Sequence, residues 1–86
     1  MTIESQRLAG QVAVVTGTAS GLGRAVALKL ARNGAAVACA DINDAENQRT
    51  VEMIVAAGGE AFPFHVDVSN SRSVKDMMKF IYRKMG

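Results

Sequence analysis

A chain of 86 residues has room for one small domain, and a composition of 49% hydrophobic and 21% charged residues excludes a disordered polar tail. A net charge of +2 is too small to indicate nucleic-acid binding. Cys39 is the only cysteine and cannot form an internal disulfide bond; without a signal peptide or an apolar run of bilayer length, we expect a cytoplasmic protein with no membrane partner.

The first half of the chain predicts a strand followed by a helix. Gln11–Thr16 is a continuous apolar run, which is typical of a strand buried on both faces. Leu22, Val26 and Leu30 recur at four-residue spacing and predict the inner face of a helix from Leu22 to about Asn33. Short apolar runs that alternate with longer periodic segments indicate βαβ units.

The same alternation continues with a second strand and a second helix. Ala35–Asp41 predicts another buried strand. Asn43 is a suitable N-cap for a helix that begins near Asp44, and Glu46 can return the hydrogen bond as in a capping box. The Gly58–Gly59 pair ends this helix. Its predicted apolar stripe consists of Val51, Ile54 and Val55.

A third strand and a third helix complete the pattern. Ala61–Val68 predicts a strand, and Pro63, which has no N–H to donate, places that strand at a sheet edge. A helix is predicted from about Asn70, with an apolar stripe of Val74, Met77, Met78, Ile81, Tyr82 and Met85. Right-handed parallel crossovers then give a Rossmann-type α/β fold, with three strands ordered 3-2-1 and the last helix alone on one face.

Three glycines stand at the joint between the first strand and the first helix. Gly17 allows a sharp turn off the strand, Gly21 lets the backbone approach a pyrophosphate, and Gly23 lets the helix pack closely on the sheet. The first N–H groups of the helix have no intrahelical partner and form an anion site. This strand–glycine–helix context predicts dinucleotide binding, although a tight turn without a ligand is the alternative.

Two acidic residues at the ends of later strands add to this prediction. Asp41, 18 residues after Gly23, can accept both hydroxyls of an adenosine ribose and repel a 2′-phosphate. No arginine or lysine lies between Thr16 and Gly23 or directly after Asp41, so the sequence favours NAD over NADP. Asp67 can accept from an adenine amino group beside Val68, or it can brace the turn into the last helix.

The remaining candidate side chains are interpreted as structural. His65 has no partner at metal-ligand spacing except Asp67, so we predict no metal site. Cys39 lies in an apolar strand, where a thiol behaves as an inert hydrophobic group. Tyr82 belongs to the apolar stripe of the last helix, and we expect it to pack there.

Taken together, the pattern Thr16-Gly17-x-x-x-Gly21-x-Gly23, the strand-ending Asp41 and the pair Asp67-Val68 resemble the short-chain dehydrogenase/reductase family from about Leu8 onward. The resemblance implies an NAD-dependent oxidoreductase that transfers hydride between the cofactor and a small alcohol or ketone. It implies that Ser20 and Leu22 contact the pyrophosphate, that Asp41 and Ile42 hold the adenosine, and that Asp67 and Val68 hold the adenine.

The sequence departs from this family in what it lacks. The Asn-Ala-Gly segment, the catalytic serine and the Tyr-x-x-x-Lys helix of the family have no counterpart before Gly86. We therefore expect residues 1–86 to be the N-terminal half of an NAD(P)-binding domain, inactive alone and partly unfolded or self-associating through the open edge of the first strand.

Two other functions stay open at this point. One is a non-enzymatic binding module that docks a partner through its unpaired sheet edge or its methionine stripe. The other is a methyltransferase fold, which also ends its second strand with an acid. That fold usually carries an acidic residue near a tighter glycine loop, where this chain has Thr16.

Overall fold

Three strands alternate with three helices in the computed structural model, which describes residues 10–85 except the side chains of Tyr82, Lys84 and Met85. The elements are β1 (Val12–Thr16), α1 (Gly21–Arg32), β2 (Ala36–Asp41), α2 (Asp44–Ala56), β3 (Glu60–His65) and α3 (Ser71–Met85). No helix in this described part of the chain is both long and apolar enough to cross a membrane.

The strands form one parallel sheet in the order β1-β2-β3, as predicted. β2 lies in the middle, and its residues 37–40 are fully buried, which confirms the second predicted strand. Pro63 lies in β3 at the outer edge, where its missing N–H breaks no ladder. Because all three strands run in one direction, their carboxyl ends meet at one edge of the sheet.

Alternate residues of β2 face two separate cores. On one face Val37 and Cys39 pack with residues of α1 and α2, among them Ala27 and Ile54. On the other face Ala38 and Ala40 pack with Val66, Met77 and Ile81, so α3 covers that face. The predicted crossing of the last helix to the opposite face is confirmed.

The prediction that β1 is buried on both faces is wrong. Val12 and Val14 are 38% and 36% exposed. They pair with Ala36 and Ala38, so they point to the face that α3 covers, but the core on that face contains no residue of β1. Only Ala13 and Val15, on the α1 side of the strand, pack against a core.

The predicted inner face of α1 is correct at Leu30, which packs against the core, and wrong at Leu22 and Val26. Leu22 is 81% exposed and Val26 is half-exposed, whereas Ala27 is fully buried. A Cβ at Gly23 would lie 2.0 Å from the carbonyl oxygen of Gly17, so the helix approaches the loop that precedes it as closely as a glycine permits. Small residues four apart, Gly23 and Ala27, therefore face the sheet, and Leu22 and Val26 turn outward.

The last three predicted elements need smaller corrections. In α2, Val51 and Ile54 are buried as expected, but Val55 is exposed, while the polar side chains of Asn47 and Thr50 are buried instead. β3 ends at His65, so the predicted residues 66–68 lie beyond the strand. In α3, Met77 and Ile81 are buried and Met78 is not; the stripe's side chains of Tyr82 and Met85 lie outside the described residues.

Gly23→Ala is expected to lower the free energy of unfolding by about 3 kcal/mol, at the upper end for an overpacked site. The atom that the new methyl group meets is backbone, and the helix-propensity gain of about 1 kcal/mol does not offset the clash. Urea denaturation followed by circular dichroism measures the change. Leu22→Ala, at the exposed neighbouring position, is the control and should shift stability by no more than about 0.5 kcal/mol.

Candidate cofactor-binding site

The loop between β1 and α1 turns across the carboxyl end of β2. Gly17 and Gly21 have φ angles of +75° and +58°, a backbone region in which side chains are strained, so two of the three predicted glycines are required by conformation. The N–H of Gly17 donates to the carbonyl oxygen of Ala40 at 2.8 Å. This bond fixes the start of the loop above the central strand.

The first turn of α1 presents a set of backbone donors at this loop. Ser20 is the N-cap residue in extended conformation, and its side chain makes no capping hydrogen bond. The first four N–H groups of a helix have no intrahelical acceptor, and the helix dipole adds partial positive charge there. An anion can therefore be bound by the N–H groups of residues 21–23 and by the Ser20 hydroxyl.

Asp41 connects the end of β2 to the glycine loop. Its Oδ2 accepts from the N–H of Ala19 at 2.9 Å, and its Oδ1 accepts from the N–H of Asn43 at 2.9 Å. Burial alone would raise the pKa of Asp41, but the backbone N–H groups of Asn43, Ala19 and Ile42 outweigh it and hold the pKa below its ordinary value. Asp41 is therefore a carboxylate at neutral pH.

Asp67 braces the turn that follows β3, which was the alternative role considered for it. Its Oδ1 accepts from the hydroxyl of Ser69 at 2.6 Å and from the N–H of Ser69 at 3.0 Å. These two bonds lower the pKa of Asp67 against a smaller opposing effect of desolvation, and His65 lowers it further. Both described bonds use Oδ1, which leaves Oδ2 able to accept from a ligand.

The predicted site residues lie on the three segments that follow β1, β2 and β3 at the carboxyl edge of the sheet, and we call this region the crevice. The N–H of Val66 donates to the carbonyl oxygen of Asp41 at 3.1 Å and holds the segment after β3 beside the end of β2. Ile42 and Val68 are exposed apolar side chains on these two segments. The three segments carry the predicted residues Gly17, Ser20, Gly21, Leu22, Gly23, Asp41, Ile42, Asp67 and Val68.

Only half of the predicted capping box forms at α2. Asn43 Oδ1 accepts from the N–H of Glu46 at 3.2 Å, but the N–H of Asn43 donates to Asp41 instead of Glu46. The Glu46 carboxylate lies 3.1 Å from Arg24 Nη2. An arginine therefore stands next to the glycine loop, although the sequence analysis found none in it.

Sequence analysis missed a set of hydrogen-bonded polar side chains behind the loop, namely the buried Thr18, Asn47 and Thr50 and the partly exposed Arg24. Asn47 and Thr50 share a helix face with the buried Val51 and Ile54. Two polar residues on an otherwise apolar helix face were the one signal that could have revealed them.

Cys39 and His65 are not assigned to cofactor binding. Burial raises the pKa of the Cys39 thiol to about 11, against a smaller opposing effect of its hydrogen bond with Thr18, so the thiol is unreactive as predicted. His65 Nδ1 lies 2.7 Å from Asp44 Oδ1, a partner that sequence analysis did not consider. Within the part of the chain that the structure describes, no three metal-ligating side chains cluster.

Asp41 is expected to make stability depend on pH in the acid range. Because its pKa is lower in the folded chain than in the unfolded one, its contribution is present above about pH 4 and is lost as the pH falls through the folded value. Urea titrations between pH 2.5 and 6 should show a shallower acid loss for Asp41→Asn than for the wild type. Glu52→Gln, an exposed carboxylate of α2, is the control. If stability depends on pH equally in Asp41→Asn and Glu52→Gln, Asp41 does not have the lowered pKa assigned to it.

Comparison with known proteins supplies the family. A family model described as short chain dehydrogenase matches residues 11–86. The uncharacterized oxidoreductase YxbG of Bacillus subtilis is 46% identical over 69 residues, which cover 80% of this chain and 25% of that protein. The short-chain dehydrogenase/reductase homolog YusS of the same organism is 42% identical over 77 residues, which cover 88% of this chain and 71% of that protein.

Solved structures agree with the fold and carry both forms of the cofactor. A metagenomic short-chain oxidoreductase in complex with NADP has a TM-score of 0.90 at 38% identity, covering 92% of this chain and 36% of that one. A short chain dehydrogenase/reductase from Burkholderia phymatum in complex with NAD has a TM-score of 0.86 at 36% identity, covering 100% of this chain and 29% of that one. The Rossmann-like sheet is thus that of the matched family, and the chain belongs to the short chain dehydrogenases.

Proposed function

We propose that residues 1–86 form the N-terminal half of an NAD(P)-binding domain and that the crevice binds the adenosine half of NAD. The observation that carries the proposal is the Asp41 carboxylate, which ends β2 and is tied by the Ala19 N–H to the glycine loop. A ribose acceptor and a pyrophosphate loop are thereby held at a fixed distance from each other. Both parts of the ligand can then be bound by preformed groups.

Each site residue has a role in this proposal that suits its surroundings. Gly21 leaves room for the pyrophosphate beside the first turn of α1, with Ser20 and Leu22 next to it, and Gly23 lets that turn pack closely on the loop. The exposed side chains of Ile42 and Val68 offer apolar surfaces to the adenine. The free Oδ2 of Asp67 accepts from the adenine amino group.

The selectivity for NAD over NADP follows from charge. A 2′-phosphate would lie against the ionised Asp41. Arg24 is close enough to the loop to attract a phosphate, but its guanidinium is engaged by the carbonyl oxygen of Ala19 and by Glu46. Arg49 lies 3.7 Å from Glu46 as well, so both neighbouring arginines share this carboxylate.

The reaction proposed for the whole protein is hydride transfer between NAD(H) and a small alcohol or ketone. The chain spans 25% of YxbG and 71% of YusS, and the family's catalytic serine and Tyr-x-x-x-Lys pattern have no counterpart in these 86 residues. The catalytic groups and the substrate pocket are therefore assigned to parts of the protein outside residues 1–86. A cytoplasmic location is proposed with it, supported by the free and unreactive Cys39.

A non-enzymatic binding module that self-associates or docks a partner is the second candidate. Its support is β1, which pairs only with β2 among the described strands and exposes Val12 and Val14 beside its open edge. Size-exclusion chromatography with and without NAD separates the two candidates. A self-associated species whose elution volume does not change when NAD is added favours the binding module.

Asp41→Ala is expected to narrow the preference for NAD over NADP about tenfold, since it removes the charge that repels a 2′-phosphate. Asp41→Ser combined with Ile42→Arg should reverse the preference. Calorimetric titration of residues 1–86 with each dinucleotide gives the ratio of dissociation constants. Asp44→Ala, which removes another carboxylate of the same crevice edge, is the matched control. A ratio unchanged in the Asp41 variants would mean that Asp41 does not face the ribose.

Residues 1–86 alone are expected to show no dehydrogenase turnover. The chain offers groups to hold a cofactor and none of the family's groups for proton transfer to a substrate carbonyl. The test follows NADH absorbance with a panel of ketones and aldehydes, with a full-length enzyme of the family as positive control. Turnover on the order of 1 per second with any of them would contradict this expectation.

A further inference from the structure

A buried polar cluster stands directly behind the glycine loop and has no role in the site described so far. It consists of the buried side chains of Thr18, Asn47 and Thr50 and the partly exposed side chain of Arg24, and we call it the clasp. Thr18, Asn47 and Thr50 are at most 1% exposed. No buried polar side-chain atom in the described part of the chain lacks a hydrogen-bond partner. Burying so many polar groups is costly unless their geometry is matched, so the cluster specifies one arrangement.

Asn47 holds the side chain of the loop residue Thr18. Its Nδ2 donates to the carbonyl oxygen of Cys39 at 2.9 Å, which leaves Oδ1 turned toward the loop. The hydroxyl of Thr18 donates to that Oδ1. One amide of α2 thereby connects the central strand with the loop.

Thr50 holds the backbone of the same loop residue. Its hydroxyl donates to the carbonyl oxygen of Thr18 at 2.6 Å and accepts from Arg24 Nε at 2.8 Å. Arg24 Nη2 in turn donates to the carbonyl oxygen of Ala19. The hydroxyl of Thr50 thus links α1, α2 and the loop, with its single proton and a lone pair both in use.

These contacts engage every backbone polar group of residues 18 and 19 except the Thr18 N–H. That N–H donates to the carbonyl oxygen of Ala40 at 3.5 Å. The Ala19 N–H is held by Asp41, its carbonyl oxygen by Arg24, and the Thr18 carbonyl oxygen by Thr50. Ser20 and the free N–H groups of α1 follow immediately. Glycines make the loop conformation accessible, but they do not select it, because glycine is the residue with the most backbone freedom.

We propose that Thr50 is a positioning residue for the cofactor: through the clasp, α2 fixes the loop so that its N–H groups converge on the pyrophosphate. The proposal rests on the proposed function for its ligand and on the hydrogen bonds of the clasp for its geometry. It assigns a part in cofactor binding to α2, a helix that lies behind the loop and has no residue proposed to contact the cofactor.

The test compares three variants of the 86-residue chain. Thr50→Val replaces the hydroxyl with a methyl group of similar shape and removes both hydrogen bonds, whereas Thr50→Ser keeps them. Ile54→Val, one turn further along α2, removes a buried methyl group in the same helix without touching the loop and controls for a general loss of stability.

Two readouts are measured on each variant. The first is the NAD dissociation constant by calorimetry, at a temperature where all variants are folded. The second is the exchange rate of the Ala19 and Ser20 amides in the chain without ligand, divided by the rate of the slowest β2 amides of the same variant. That division removes any change in global stability.

Thr50→Val should raise the NAD dissociation constant about tenfold and the relative Ala19 exchange rate at least tenfold, while Thr50→Ser and Ile54→Val stay within twofold of the wild type. The proposal is overturned if Thr50→Val and Ile54→Val have equal NAD dissociation constants and equal relative exchange rates. If the wild type fails to bind NAD, the proposed function is wrong. The relative exchange rate alone then still tests whether the clasp fixes the loop. If Thr50→Val does not fold, Arg24→Met, at a partly exposed position, is assessed by exchange in the same way.

Discussion

The turn from β1 into α1 has to pass over the carboxyl end of β2 within a few residues, and the rest of the site depends on that crossing. Gly17 donates to Ala40 at the start of the crossing, and Gly23 comes so close to Gly17 at its end that no side chain fits between them. The first turn of α1 is therefore positioned by backbone contact at Gly23. A helix placed this way aims its unpaired N–H groups at the end of the second strand, where Asp41 stands.

The loop that makes this crossing is stabilised by polar contacts to an unusual degree. Its two middle residues are bound to β2 through Asp41 and to α2 through Asn47 and Thr50. Such contacts contribute little net stability when they form but cost about 1–3 kcal/mol each when one partner is lost. The network therefore acts on specificity of conformation more than on overall stability. In the proposed site, where backbone N–H groups bind the pyrophosphate, the conformation of the loop determines affinity.

Burial is distributed unevenly over the sheet, and this asymmetry explains why the burial predicted for both faces of β1 is wrong. β2 is covered on both faces, whereas β1 has a packed face toward α1 and an exposed one toward the side of α3. The core that α3 forms uses residues of β2 and of the segment after β3, and it stops short of Val12 and Val14. An apolar run in the sequence indicates residues that can be buried. Whether they are buried depends on the neighbours that pack against them.

The sequence by itself determined the order and type of all six elements, the parallel 3-2-1 sheet and the set of residues at its carboxyl edge. These follow from short-range rules: apolar periodicity, glycine at positive φ, a proline that cannot join a ladder, and an acid where a strand ends. What only the tertiary structure decided was which side of each element faces inward and which polar groups meet. Leu22 and Val26 have the spacing of an inner face, yet the contact of Gly23 with Gly17 rotates Ala27 inward instead. Glu46 has the spacing of a capping residue, yet Arg24 from another helix binds its carboxylate. Thr18 and Thr50 are 32 residues apart and show no common pattern, because the hydrogen bond between them exists only once two helices and a strand have packed.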